Sequence, residues 1–168
     1  FHDRLKVYLR DQNIRHDVID AAIAKEGRDD LTLVTKRARA LGVFLDSEDG
    51  ENLLQGFKRA NNILSQAEQK DGVEYSYGAD RKFAETVQET ALFEALDMAK
   101  PAIQQALIQD NFQEALSSLA QLRVSVDAFF EAVQVNSDNE VLRRNRLNLL
   151  NDIRTASRLI ADFSCVEG

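Results

Sequence analysis

Residues 112–133, FQEALSSLAQLRVSVDAFFEAV, decide the fold class. Their apolar members Ala115, Leu119, Leu122, Val126, Phe129 and Val133 step by four, three, four, three and four. At the helical rotation of about 100° per residue these fall on one stripe, and no strand pattern of period two fits them. The stepping recurs upstream in Leu53, Phe57, Ala60, Leu64 and Ala67, and downstream in Leu142, Leu149, Ile153, Ala156, Ile160 and Phe163. A single proline, Pro101, in 168 residues agrees, because proline removes a backbone donor and clashes inside a helix. Short helices over 5–10 and 17–25 complete an all-α bundle of about six to eight helices.

The breaks between stripes carry their own chemistry. Asp30 is the expected N-cap of a helix reaching about Phe44, where its carboxylate would accept from an orphan backbone N–H. Asp46-Ser47-Glu48-Asp49-Gly50 reads as a polar turn whose acids suit the start of the next helix. Residues 69–82 form the one long irregular segment. The pattern is helical again over 83–110, with Pro101 opening a new helix in its first turn. Asn111 is the expected cap of the helix at Phe112, and Ser137 or Asp138 of the last helix.

Composition narrows the class. With 21 Lys+Arg against 28 Asp+Glu the formal net charge is −7, and 44% of residues are hydrophobic. That excludes a disordered chain, and no run approaches the roughly 20 apolar residues of a membrane span. A lone Cys165 forms no internal disulfide, and no leader-like segment opens the chain, so a reducing cytoplasmic setting is expected. Phe1-His2-Asp3-Arg4-Leu5 already reads as mid-helix, which suggests a piece of something longer. Residues 1–45 are expected to be leading helices joining other parts of that protein, packed as one unit with a helical domain over 46–168.

Charge is unevenly spread. Residues 80–134 hold nine acids against four bases, whereas residues 143–158 hold five arginines (Arg143, Arg144, Arg146, Arg154 and Arg158) against Asp152 alone. On a wheel the five arginines fill an arc of about 160° centred about 140° from the apolar stripe. Most are therefore expected to face water or a ligand, and planar guanidinium donors match phosphate oxygens. Lys36, Arg37 and Arg39, then Arg4, Lys6 and Arg10, then Lys58 and Arg59 form smaller basic clusters. Asn61 and Asn62 stand in a predicted helix although Asn is a mediocre helix former, and Tyr75 and Tyr77 sit in the irregular segment, where they could stack on bases or pin the loop.

Catalytic chemistry is not evident. His16-Asp17 has the form of a metal-binding pair, but such sites gather several ligands and the chain has two histidines. There is no Gly-rich phosphate loop, no Gly-x-Ser-x-Gly elbow and no HExxH zinc motif. Cys165 has no histidine near it in sequence, so no catalytic residue and no metal site are expected.

Three segments carry a family resemblance. Asp3-Arg4-Leu5-Lys6-Val7-Tyr8-Leu9-Arg10-Asp11-Gln12-Asn13-Ile14-Arg15-His16-Asp17 is similar to DRLxxYLRDQGIRHD, with Asn13 where Gly is commoner, as a left-handed helix end allows. Lys58-Arg59-Ala60-Asn61-Asn62-Ile63-Leu64 resembles KRxxNIL. Phe129 to Leu150 resembles FFDxVMVMxEDExxRxNRLxLL, with Val135-Asn136-Ser137 replacing a Met-rich, more acidic stretch. Together they resemble the C-terminal part of the bacterial glycyl–tRNA synthetase β-subunit family. That family's helical fold is shared with the DALR-type anticodon-binding domain of class I arginyl–tRNA synthetases.

The resemblance implies anticodon recognition in support of ATP-dependent attachment of glycine to its tRNA. ATP and Mg would serve the separate α subunit of a class II enzyme, with no cofactor in this part of the β subunit. The expected partners are glycine tRNA and that α subunit, in the bacterial cytoplasm, with neither DNA nor membrane. Lys58, Arg59, Arg143, Arg144 and Arg146 are expected to grip phosphates, and Asn62, Tyr75 and Tyr77 to read unstacked bases. The alternative is a helical domain that binds no RNA and serves subunit or interdomain docking.

Overall fold

The computed structural model describes residues 2–23 and 31–166. Eight α-helices make up the described chain: α1 (His2–Asp11), α2 (His16–Ile23), α3 (Leu31–Asp46), α4 (Glu48–Asp71), α5 (Val87–Ile108), α6 (Phe112–Ala120), α7 (Arg123–Ala132) and α8 (Glu140–Arg158). Single 3-10 turns lie at Arg81–Phe83 and Phe163–Cys165, and no strand occurs among the described residues. The all-α reading holds.

α4 is the axis of the bundle, packed against α3, α6, α7 and α8. Its Leu53, Phe57, Ala60, Leu64 and Ala67 are buried, as their spacing requires. α8 runs antiparallel beside it, since Asp71 meets Arg143 at one end and Asn61 meets Arg154 at the other. Leu147, Leu150 and Ile153 close the seam with no solvent exposure. Each such side chain contributes about 1.5–3 kcal/mol by leaving water. Val18, Ala21, Leu41 and Phe44 of the leading helices join this same core, while Leu9, Ile19, Ala22, Val34 and Ala38 form a satellite.

The helix ends are chemically explicit. The Ser47 hydroxyl accepts from Gly50 N–H at 3.1 Å and caps α4. Gly50 is obligatory there, because an added Cβ would stand 1.8 Å from the Phe44 carbonyl oxygen. Gly72, left-handed at φ 67°, ends α4 and donates its N–H to the Glu68 carbonyl at 2.9 Å. Asn13 ends α1 in the same conformation, φ 64°. Thr86 and Glu89 form a reciprocal capping box on α5, and Asn111 caps α6.

Several expectations need correction. The 112–133 stripe belongs to two helices that break at Gln121 and Leu122; both residues keep near-helical dihedrals (φ −63°, ψ −17° and φ −76°, ψ −17°), so the periodicity survives the break. Pro101 lies inside α5 and opens no new helix. The helix is carried past it by buried Leu96, Ala99, Ile103 and Ala106, with Pro101 itself turned to solvent. The last helix is capped by Asn139, whose side-chain oxygen accepts from Val141 and Leu142 N–H, and not by Ser137 or Asp138. α4 continues through Asp71, so the irregular segment begins at Gly72. Asp30 lies outside the described residues.

Candidate nucleic-acid interface

The arginines of α8 do not share one fate. Arg146 is only 7% exposed; its Nε donates to Glu89 at 2.7 Å and its Nη1 to the Gln134 carbonyl at 2.8 Å. Glu89, fully buried, turns its second oxygen to the N–H groups of Glu85 and Thr86 at 2.9 and 2.8 Å and to the Thr86 hydroxyl at 3.1 Å. Burial works to raise the Glu89 pKa, but Arg146 and these N–H donors more than offset it and hold the carboxylate below its ordinary value. The pair ties the start of α5 to α8 and to the segment after α7. Arg146 is therefore a structural residue, contrary to its expected role on phosphate.

Arg143 and Tyr75 are also largely committed. Tyr75, 7% exposed, donates its phenol proton to Asp71 at 2.5 Å, and Arg143 Nη1 reaches the same carboxylate oxygen at 2.8 Å and the phenol oxygen at 3.2 Å. The Tyr75 hydrogen bond and Arg143 hold Asp71 below the usual carboxylate range, while burial, then Asp71, raises the Tyr75 phenol. Tyr75 pins the loop and offers no face for stacking, which corrects its expected role. Arg59 lies on the opposite flank of α4, 4.7 Å over the Phe130 ring, in a hollow shared with Asp127 and Glu131. Those acids make that hollow unsuited to phosphate.

What remains exposed converges. On α8, Arg144, Asn151, Thr155 and Arg158 fall within an arc of about 60°, which Glu140 of the first turn shares. Between this strip and α4 runs a groove of about 250 Å³ whose wall includes Lys58, Asn61, Asn62, Arg154 and Arg158. Arg154 crosses its floor, bonded to Asn151 at 2.7 Å and lying 3.8 Å from Glu68. Burial, followed by the adjacent Arg158 charge, pulls the Arg154 pKa below the ordinary guanidinium value. The Glu68 and Glu74 charges act on Arg154 in the opposite direction. Asp162 at one end is its single acidic lining residue, and its carboxylate accepts from Ser164 N–H and hydroxyl.

On the other border of the α8 strip stands Tyr77, 91% exposed. Its N–H donates to Asn148 Oδ1 at 3.1 Å, and Asn145 exchanges two bonds with the Asp80 backbone, at 2.8 and 3.1 Å. The Ala79 N–H bonds the Asp152 carboxylate; burial pushes the Asp152 pKa up, and Lys100 at 3.9 Å counters it.

Of the eight residues singled out in the sequence, the structure gathers Lys58, Asn62, Arg144 and Tyr77 around the solvent face of α8 and sets Arg59, Tyr75, Arg143 and Arg146 elsewhere. Asn61, Arg154 and Arg158, noted in the sequence but given no part in binding, join the groove. The four-residue spacing of Arg154 and Arg158 placed them on one face, and only the antiparallel pairing of α4 with α8 brings Lys58 and the asparagines opposite. His16 points to Asp20 at 3.2 Å while Asp17 binds Arg15, so the His16-Asp17 pair converges on no shared ligand. Among the described residues no group of three His, Cys, Asp or Glu could hold a metal ion.

Two helices frame a groove lined by Lys58, Arg154, Arg158 and two asparagines, in a bundle with no strand among the described residues. Residues 53–160 match the DALR anticodon binding domain, and the chain belongs to that family. It is 68% identical to the glycine–tRNA ligase β subunit of Ruegeria sp. (strain TM1040), 64% to that of Paracoccus denitrificans (strain Pd 1222) and 48% to that of Rhodospirillum centenum (strain ATCC 51521 / SW). Each alignment covers all of this chain but only 24% of the relative. The chain thus spans about a quarter of the length of the curated relatives it matches.

Proposed function

We propose that this chain holds the anticodon stem-loop of glycine tRNA, as the RNA-recognition part of a glycine–tRNA ligase β subunit. ATP-dependent glycine attachment, with its Mg, belongs in this reading to the α subunit in the bacterial cytoplasm, and no residue here takes part in the bond-making step. The observation that carries the reading is the α4–α8 groove: three bases and two asparagines converge there against one acid, in a protein of net charge −7. Lys58 and Arg158 meet phosphates and orient the stem, Arg154 braces the groove floor through Asn151 and Asn61, and Asn62 offers its amide to base edges.

A salt titration of glycine tRNA binding tests this. Lys58→Ala with Arg158→Ala is expected to weaken binding and to lower the slope of log affinity against log salt by about 2. An unchanged slope removes the groove from the interface. A second reading, protein docking, is favoured for a different face: Val87, Met98 and Ile108 are 77–79% exposed on one side of α5. If the chain binds a tRNA with altered anticodon bases as well as glycine tRNA, docking becomes the main function.

A further inference from the structure

Tyr77 is the most exposed large hydrophobic residue among those described, yet its backbone N–H is held by the buried Asn148. Two asparagines of α8, Asn145 and Asn148, are 6% and 4% exposed and direct their side-chain bonds mainly to the backbone of this single loop. Buried amides are costly unless satisfied, and apolar residues at these positions would serve packing equally well. Tyr75, two residues earlier, turns inward onto Asp71 and Arg143, and Gly78, at φ 85°, bends the chain directly after Tyr77. The outcome is an aromatic ring set on a crest with no interior contact to account for it. Arg144 is exposed one turn before Asn148, its carbonyl accepting from the Asn148 amide at 2.9 Å.

We propose that Tyr77 is a preset stacking platform for one unpaired nucleobase of the bound RNA loop, with Asn148 as its positioning residue. The inference rests on the RNA-binding reading above and adds to it the kind of nucleotide taken: a single-stranded base with its face free. Bases inside a duplex offer no such face, whereas unstacked loop bases commonly settle on aromatic side chains. Asn148 acts only through Tyr77, by fixing where the ring stands.

The test uses glycine tRNA and a series of its anticodon hairpins, each lacking the base at one loop position. Tyr77→Ala is expected to weaken binding of intact RNA by about 5- to 150-fold with an unchanged salt slope, and Tyr77→Phe to leave it near wild type. On the hairpin missing the stacked base, Tyr77→Ala should cost nothing more. Asn148→Ala should lose part of the same affinity, and nothing further once Tyr77 is already alanine. If the parent chain binds and discriminates anticodons while Tyr77→Ala binds equally well, the platform is refuted and the RNA reading stands. If Asn148→Ala costs as much in the Tyr77→Ala background as alone, its positioning role is refuted. If the parent chain binds none of these RNAs, both readings fall.

Discussion

Replacing Arg146 by alanine separates a structural arginine from an RNA-binding one. The substitution strands Glu89, which has no solvent exposure, and removes the donor to the Gln134 carbonyl. Breaking a buried pair from one side costs about 3–5 kcal/mol, because the remaining charge keeps its desolvation penalty. A domain of this size shifts its melting point by about 2–4 °C per kcal/mol, so a fall of about 6–20 °C is expected by calorimetry. The three donors from Glu85 and Thr86 stay on the carboxylate, which favours the lower part of that range. Acid provides a second reading. Glu89 titrates below its ordinary value in the folded protein, so its contribution is present above the unfolded carboxylate pKa and fades as pH falls through the folded one. The parent should therefore lose stability in acid more steeply than an Arg146→Met, Glu89→Leu pair, which replaces both charges together. A single Arg146→Ala variant that melts like the parent yet loses tRNA affinity would refute the assignment.

Two further substitutions probe the frame. Gly50→Ala drives a Cβ into the Phe44 carbonyl oxygen and should lower stability by more than about 2 kcal/mol, read as a drop in the urea midpoint. Asp110 ends α5 in the left-handed region at φ 54°, so Asp110→Gly should be neutral or raise stability by up to about 1 kcal/mol, read as the urea midpoint; clear destabilisation would show that its side chain matters beyond the backbone.

The helices were legible because apolar spacing is a local property. Ala115 to Val133 marked the buried face correctly even across the break at Leu122, since a near-helical turn hardly disturbs the phase. Asn111 announced its cap for the same reason, whereas Ser47 stood unmarked within a polar turn. The site was less legible. The wheel of α8 treated its arginines as one arc, although Arg146 lies four residues after Leu142 and seven before Ile153, within the edge of the apolar stripe. That spacing was the available signal, and the partner that makes burial tolerable, Glu89, stands 57 residues away. The same distance problem hid the groove, whose two walls are separated by the whole of α5, α6 and α7. The matched Arg143, Asn145 and Arg146 of the FF…NRL segment turn out to hold the fold together, so a resemblance carried by them speaks for architecture before it speaks for contact with RNA.

The walls of the α4–α8 groove are the outer sides of helices whose inner sides, at Ala60, Leu64, Leu147, Leu150 and Ile153, have no solvent exposure. Backbone amides along Asn61 and Asn62 should consequently exchange with deuterium only when the entire bundle opens. A guest arriving at this cleft meets a mould already set, and whatever bending the fit demands falls on the guest.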